Sequence, residues 1–265
     1  MFKAAKLLAV CLLALAVHAA ERPRCASLPG AEQLWTRPGL RFIIVGETHG
    51  TTEAPAIFAD LICSAREVKR PIIVGIELRD QPALDIFMGS GNDRARNREL
   101  LSAEEWKGRD GRTSTAMLTL LERLRVLKRV GIVSEVVAFS TPYADDSAAR
   151  GEERMASALL SSAVGQPDAL VVALSGNVHA CKTTMAQIGN YGLMASFLPP
   201  SQTVSLVVRD RGGRAWNCQD GACGPHALSS SGGEKRSITF ASPHPCFDGI
   251  LSTGLSATAS RPASQ

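Results

Sequence analysis

The stretch FIIVGETHG, residues 42–50, joins an apolar run to a cluster of polar groups. Residues 42–45 are apolar and mostly branched, as in a strand that is buried on both faces of a sheet. Gly46 ends this run, and Glu47 and His49 follow it directly. An acid and an imidazole at the end of a core strand need partners, and later strands of the chain supply candidates for them.

Apolar runs of strand length alternate with amphipathic stretches along the chain. This order predicts a doubly wound α/β fold, with a mostly parallel sheet and helices on both of its faces. The predicted strands are Phe42–Val45, Ile72–Leu78, Val133–Phe139, Leu170–Leu174, Val204–Val208 and Ser237–Phe240. The predicted helices are Ala54–Val68, Ser114–Lys128, Glu152–Val164 and a short one at Thr183–Ile188.

Three segments depart from this alternation. Residues 81–111 are charged and contain glycines, which predicts a surface excursion or a small helical lid. Residues 210–236 are rich in Gly, Ser and Cys, which predicts a long C-terminal loop region stapled by a disulfide. Residues 251–265 lack a core-forming pattern and are expected to be disordered, so that a single α/β domain occupies residues 21–250.

The N-terminus has the composition of a secretory signal peptide over residues 1–20. A short basic start precedes eleven apolar residues and then small residues suited to cleavage after Ala19 or Ala20. The apolar run is too short to span a membrane, and no later segment approaches the ~20 residues that a span needs. The sequence therefore predicts a periplasmic or secreted protein.

Charge points away from nucleic acid as a partner. The formal charge of +4 falls by two when Lys3 and Lys6 leave with the signal peptide, and the remaining basic residues are scattered. We expect a small molecule or a peptide as substrate instead.

Six cysteines remain after cleavage, and an even number in an exported chain favours disulfides. Cys218 and Cys223 flank QDGA and could close a local loop. The long-range pairs would then be Cys25–Cys63 and Cys181–Cys246, although six cysteines permit 15 connectivities. The alternative is a zinc site built from Cys218, Cys223, His226, His244 and Cys246.

Polar residues cluster where the first four predicted strands end, in GETHG, GIELRD, FSTPYADD and SGNVHA. The carboxyl ends of parallel strands meet at one edge of the sheet, where ligands bind. An unpaired carboxylate inside an apolar run is costly, so Glu77 needs a partner, and Arg79 is the nearest candidate. The residues expected to converge are Glu47, His49, Glu77, Arg79, Asn177 and His179. Each also has a purely structural interpretation, as a helix cap, an ion pair or a satisfied loop histidine.

VGETHGTTE, IIVGIELRD and LSGNVHA together resemble the superfamily that joins erythromycin esterases, ChaN-like haem-binding uptake proteins and Tiki/TraB proteins. Two G-x-x-H motifs, here Gly46–His49 and Gly176–His179, and a strand-end glutamate between them carry the resemblance. VGETHGTTE is particularly like the esterase form, which implies a substrate-binding role for Glu53. GEERMASAL resembles a helix start of this group and adds Glu152 and Met155.

The residues and the resemblance together predict an exported hydrolase that acts on an ester, amide or peptide bond. His49 would be a general base or a metal ligand, with Glu47 or Glu77 orienting it, and His179 the second base or ligand. Arg79 or the backbone of residues 175–177 would stabilise an oxyanion. The predicted substrate-binding residues are Glu53, Arg79, Gly176 and Asn177.

Two points remain open at this stage. His49, His179 and Glu77 would suit a divalent transition metal with an open position for water. The alternative function is a non-enzymatic haem- or iron-binding protein on the ChaN-like scaffold, for which the chain offers two tyrosines, Tyr143 and Tyr191. A third reading is a disulfide-stapled domain whose polar edge is only structural.

Overall fold

The computed structural model describes residues 25–141, 147–241 and 244–265. Its centre is a seven-stranded sheet with the order β3-β2-β4-β1-β5-β9-β8. Neighbouring strands pair in parallel except β8, which runs antiparallel to β9. These strands are β1 (Phe42–Glu47), β2 (Ile72–Ile76), β3 (Glu135–Ala138), β4 (Leu170–Gly176), β5 (Thr203–Arg209), β8 (Ser237–Thr239) and β9 (Gly249–Ser252).

Helices cover both faces of the sheet, because alternate residues of each strand point to opposite sides. Ile43 and Val45 face one hydrophobic cluster, which α2, α3 and α5 complete. Phe42 and Ile44 face the other cluster, which α6 completes. The α-helices are α1 (Glu32–Trp35), α2 (Glu53–Ser64), α3 (Gln81–Met88), α4 (Asp93–Ser102), α5 (Thr115–Arg129) and α6 (Ala148–Ser162). The predicted α/β fold is confirmed.

Strand boundaries differ from the predicted ones where they meet the polar motifs. β4 was expected to end at Leu174 but runs on to Gly176, because Glu47 and Gly176 are still paired between β1 and β4. β2 is shorter than predicted and ends at Ile76, so Glu77 lies just beyond the strand. The predicted short helix near Thr183–Ile188 is a single 3-10 turn at Ala186–Ile188.

Residues 210–236 form a hairpin rather than the predicted long loop. β6 (Arg211–Gln219) and β7 (Ala222–Ser230) pair antiparallel and form their own two-stranded sheet. Asp220 and Gly221 connect them with φ values of 49° and 80°. Positive φ at both turn residues is typical of a type I′ hairpin, for which Asp-Gly is a favoured sequence. The turn signal was present in QDGA, but the glycines and serines around it obscured the strands.

The excursion at residues 81–111 consists of α3, α4 and a 3-10 turn at Glu104–Lys107. Trp106 anchors it, because its side chain is completely buried among core residues of the α2, α3 and α5 side. Leu84, Phe87 and Leu100 are buried in the same cluster, so this segment is a small helical layer packed on the core.

Residues 251–265 are ordered, which corrects the expectation of a disordered tail. Leu251 and Ser252 belong to β9, and isolated bridges join Ala259 to Thr51 and Pro262 to Ser114. Main-chain hydrogen bonds hold the segment, including Ser260 N–H to Gly50 O at 2.8 Å. Such bonds do not depend on an apolar side-chain pattern, so no pattern in the sequence indicated them.

All three predicted disulfides are present: Cys25–Cys63, Cys181–Cys246 and Cys218–Cys223. The zinc alternative is therefore wrong, because a disulfide sulfur is not the thiolate that zinc needs. Intramolecular disulfides fit an oxidising compartment.

The predicted signal peptide lies outside the described residues. Across the ranges described above, no helix is long and apolar enough to cross a membrane.

Deletion of residues 256–265 should lower the free energy of unfolding by about 3 kcal/mol or more. The deletion removes main-chain hydrogen bonds to Gly50 O, Thr52 N–H, Thr115 N–H, Gly212 O and Arg214 N–H, and each such bond contributes about 0.5–1.5 kcal/mol net. Urea unfolding followed by circular dichroism measures the change. Deletion of only the exposed residues 264–265 is the control, and equal stability of the two truncations would contradict this role.

Candidate active site

The carboxyl edge of the sheet brings together the residues that end three strands. Glu47 ends β1 with His49 just after it, Glu77 follows β2, and His179 follows β4. Because β1 and β2 both pair with β4, these three segments are neighbours at the crevice. Glu47, His49, Glu77 and His179 therefore lie together at this edge of the sheet, as the sequence predicted.

Two Glu–His pairs face one another across Glu77. His49 Nδ1 lies 3.1 Å from Glu47 Oε1, and His179 Nδ1 lies 2.7 Å from Glu152 Oε1. The Nε2 atoms of His49 and His179 lie 3.7 and 3.6 Å from the two carboxylate oxygens of Glu77. These last separations exceed hydrogen-bond distance, so each Nε2 is left to interact with a ligand or a water molecule.

Glu152 belongs to the site through α6, a long way from the other residues in sequence. Its second oxygen, Oε2, accepts the Met194 N–H at 2.8 Å, so both oxygens of the buried carboxylate are used. This fixes Glu152 against the His179 ring. The acid that the family resemblance singled out as a helix start is thus the orienting partner of His179.

Glu77 is 5% exposed and carries its charge with the help of three kinds of neighbour. Burial alone would raise its pKa. The positive charges of His49, His179 and Arg112, together with the Gly176 N–H that donates to Oε2 at 2.7 Å, outweigh burial and lower the pKa. Glu77 is therefore held as a carboxylate at the centre of the site.

Arg112, and not Arg79, is the guanidinium that faces Glu77. Arg112 Nη1 lies 3.4 Å from Glu77 Oε1, and Nη2 bonds Asp110 Oδ2 at 2.8 Å. From the sequence, only residues at strand ends were considered as partners. Arg112 was missed because this residue lies in the loop before α5, directly after the excursion. The backbone of Arg79 turns towards Glu105, whose Oε2 accepts the Arg79 N–H at 2.7 Å.

Both histidines have raised pKa values although burial opposes the charged form. For His49, the charge of Glu77 and the hydrogen bond with Glu47 outweigh desolvation. For His179, the hydrogen bond with Glu152 and the charge of Glu77 do the same. Glu47 differs from Glu77, since burial outweighs its hydrogen bond with His49 and raises its pKa.

A cavity of about 320 Å³ opens onto these groups. The hairpin contributes to its wall through Asn217, which sequence reasoning did not identify because the segment was expected to be a loop. The other lining residues are Glu47, Thr48, His49, Glu77, Asp110, Arg112, Gly176, Asn177, Val178 and His179.

The four predicted substrate-binding residues do not all lie in the same cavity. Gly176 and Asn177 line the cavity, but the N–H of Gly176 is used by Glu77 and that of Asn177 by Glu47 O at 2.9 Å. The expected backbone oxyanion site is therefore already occupied by the protein. Glu53 does not line this cavity, and its Oε2 accepts the Thr258 N–H at 2.7 Å, which ties α2 to the C-terminal segment. Arg79 lines an adjoining cavity of about 480 Å³ that shares Asp110 and Arg112 with the first.

Trp216 of β6 joins the loop that carries His49 to the loop that carries Arg112. Its backbone N–H donates to Gly50 O at 2.8 Å, next to His49, and its indole Nε1–H donates to Arg109 O at 3.1 Å, near Arg112. Gly50 and Gly111 have φ values of 77° and 89°, and a Cβ on either would collide with the Trp216 carbonyl oxygen. Glycine is required at both places by the backbone conformation and by this close approach.

The donor set does not fit the expected divalent metal on His49, His179 and Glu77. The two oxygens of Glu77 already face the Gly176 N–H and the Arg112 guanidinium, and a fixed positive charge there opposes a cation. Within residues 25–141, 147–241 and 244–265, no group of three or more His, Cys, Asp and Glu is arranged to hold a metal ion. Of the two tyrosines considered for haem, Tyr143 lies outside the described residues and Tyr191 borders a small cavity beside His179.

Comparisons with known proteins identify the fold. No family model and no curated protein sequence matches the chain. Among solved structures, a mutant erythromycin esterase EreC in its open conformation aligns with a TM-score of 0.63 and 12% identity, covering 88% of this chain and 94% of that one. A succinoglycan biosynthesis protein aligns with a TM-score of 0.57 and 11% identity, covering 84% and 90%. The type III effector HopBA1 aligns with a TM-score of 0.52 and 11% identity, covering 86% and 92%. The chain thus has the fold of the erythromycin esterase, in agreement with the superfamily that its two G-x-x-H motifs resemble.

Proposed function

We propose that the protein is an exported hydrolase that cleaves a carboxylic ester, amide or peptide bond, with His49 as general base and His179 as general acid. The observation that carries the proposal is the arrangement of two Glu–His pairs with their Nε2 atoms on opposite oxygens of Glu77. A carboxylate on Nδ1 fixes the tautomer of a histidine and leaves Nε2 to exchange a proton with the substrate or water. The fold shared with an erythromycin esterase supports a hydrolase, although only as an analogy of scaffold.

The contacts of the two histidines distinguish their roles. The 2.7 Å contact with Glu152 favours a protonated His179 more strongly than the 3.1 Å contact with Glu47 favours a protonated His49. Burial also raises the pKa of Glu47, which reduces the negative charge beside His49. His49 is therefore the better base, and His179 the better acid.

The proton balance of the reaction follows from these roles. His49 Nε2 takes a proton from water as the water oxygen bonds to the carbonyl carbon. The bond from that carbon to the leaving oxygen or nitrogen then breaks, and His179 Nε2 gives the leaving atom its proton. The proton on His49 returns to His179 through solvent, which restores the starting state.

Glu77 and Arg112 keep this exchange electrostatically balanced. The Glu77 carboxylate stabilises the imidazolium that forms at His49, and it lies equally close to His179. Arg112 holds Glu77 ionised and is itself held by Asp110. The charge at the centre of the site thus stays nearly constant while a proton moves.

His49→Ala and His179→Ala should each lower kcat/KM by roughly 10²- to 10⁴-fold, the usual contribution of general acid–base catalysis. The double variant should lose little more than the worse single variant, because the two residues act as one unit. Hydrolysis of a panel of 4-nitrophenyl esters and 4-nitroanilides measures this. His226→Ala, in the hairpin strand β7, is the matched control. Fully multiplicative losses would refute the shared mechanism, and hydrolysis that is unchanged in both single variants would refute the function.

The pH dependence of kcat/KM should be bell-shaped. Activity rises as His49 loses its proton, and because its pKa is raised above 6.5, this limb lies above that value. Activity falls again as His179 loses its own proton. The hydrogen bond with Glu47 and the charge of Glu47 both raise the pKa of His49. Glu47→Gln weakens the bond and removes the charge, so the pKa of His49 should fall and the acidic limb should move to lower pH. A limb that stays in place would show that His49 is not the base.

Arg112→Gln should lower kcat by about tenfold or more, while Arg79→Gln should leave kcat close to wild type. The reason is that only Arg112 faces Glu77, and a misplaced catalytic group costs up to ~100-fold. Steady-state kinetics on the best substrate of the panel, with thermal melting to exclude unfolding, makes the comparison. A larger loss of kcat in Arg79→Gln than in Arg112→Gln would reverse the assignment.

A further inference from the structure

A third cavity, of about 150 Å³, borders His179 and Glu152, and His49 is not among the described residues that line it. It shares Val178 and His179 with the catalytic cavity, so the two spaces meet at the group assigned as general acid. A group attached to the leaving atom of a substrate would lie on this side of the scissile bond.

The walls of this cavity are mostly apolar. Met155, Val178, Ile188 and Tyr191 contribute side chains to it. Glu152 also borders it, but both of its oxygens are used by His179 and by the Met194 N–H. The described residues that border the cavity thus include no carboxylate oxygen left to pair with a cation, so an apolar group gains more from burial there than a charged group does.

One residue in the wall of this cavity is Gly151, a glycine inside a helix, where glycine is normally unfavourable. Gly151 lies in α6, a helix interior in which alanine is more stable. Its φ is not positive, and a Cβ built on it would meet no atom within 4 Å. Neither backbone conformation nor close packing requires glycine at 151. What the missing side chain leaves is room in the wall of the cavity.

We propose that this cavity is the leaving-group subsite and that it selects substrates whose leaving alcohol or amine carries a compact apolar group. A cavity of about 150 Å³ is far larger than the ~10–15 Å³ of probe volume that one water needs, so it has room for several heavy atoms. A branched alkyl group or a small ring fits this description. The subsite rests on the proposed hydrolase, because it uses the assignment of His179 as the acid that protonates the leaving atom.

Two esters of equal shape test the chemistry of the subsite. 3,3-Dimethylbutyl acetate and acetylcholine differ in one atom, a neutral carbon against a quaternary nitrogen, and methyl acetate leaves the subsite empty. The wild type should hydrolyse 3,3-dimethylbutyl acetate with a kcat/KM about 100-fold above that of methyl acetate, since one methylene in an apolar pocket already gives ~10-fold or more. Acetylcholine should lie well below its neutral counterpart.

Gly151→Leu places a larger side chain in the wall of the subsite, at a position where a Cβ meets no atom within 4 Å. It should lower kcat/KM for 3,3-dimethylbutyl acetate by about tenfold or more and leave that for methyl acetate within about threefold. Gly151→Ala should fall between the wild type and the leucine variant. Gly165→Leu is the matched control, because a Cβ at Gly165 also meets no atom within 4 Å, and this residue does not border the cavity.

The outcomes separate the subsite from the function. Equal losses on both esters in Gly151→Leu, or no preference for the neutral ester in the wild type, would overturn the subsite while the hydrolase stands. If no ester or amide were hydrolysed above the level of His49→Ala, the hydrolase would fail. Binding of 3,3-dimethylbutan-1-ol by calorimetry then decides on the subsite alone: binding to wild type that Gly151→Leu abolishes supports it, and no binding to wild type overturns it.

Discussion

The buried negative charge of Glu77 is the interaction on which the site depends. A carboxylate that is removed from water needs compensation, and three segments of the chain supply it. The end of β4 gives the Gly176 N–H, the loop before α5 gives Arg112, and the two histidines lie on the two sides of the carboxylate. The sheet thus brings strand ends from distant parts of the sequence to one buried carboxylate.

The covering of this edge is the part of the molecule that differs most from a plain doubly wound domain. The hairpin β6–β7, closed by Cys218–Cys223, lays Trp216 across the loops that carry His49 and Arg112. The C-terminal segment adds hydrogen bonds to the same Gly50 carbonyl. Two segments without an apolar pattern therefore hold the loops that carry His49 and Arg112, and the proposed general acid–base chemistry needs its groups held in position.

Three cavities in contact divide the crevice by chemistry. The central one holds the two Glu–His pairs, a larger one beyond Asp110 and Arg112 has charged walls, and a smaller one beyond His179 has apolar walls. In the proposed hydrolase, a substrate lying across all three would place a polar part on one side of the scissile bond and a compact apolar part on the other. Arg79 lines the charged cavity, and its role in substrate binding stays a prediction.

The sequence by itself indicated an α/β fold with a mostly parallel sheet, because strands buried on both faces are apolar runs, and its polar strand ends pointed to Glu47, His49, Glu77 and His179. It favoured the disulfide pairs that are observed but left other pairings and a zinc site open. It did not determine that Arg112 and not Arg79 faces Glu77, nor that Glu152 orients His179, because both contacts join segments with no common sequence period. Of the hairpin, only the Asp-Gly turn was recognisable in the sequence. No sequence pattern indicated the ordered C-terminal segment. Main-chain pairing and charge compensation are set by where the chain packs in space, so only the tertiary structure decided them.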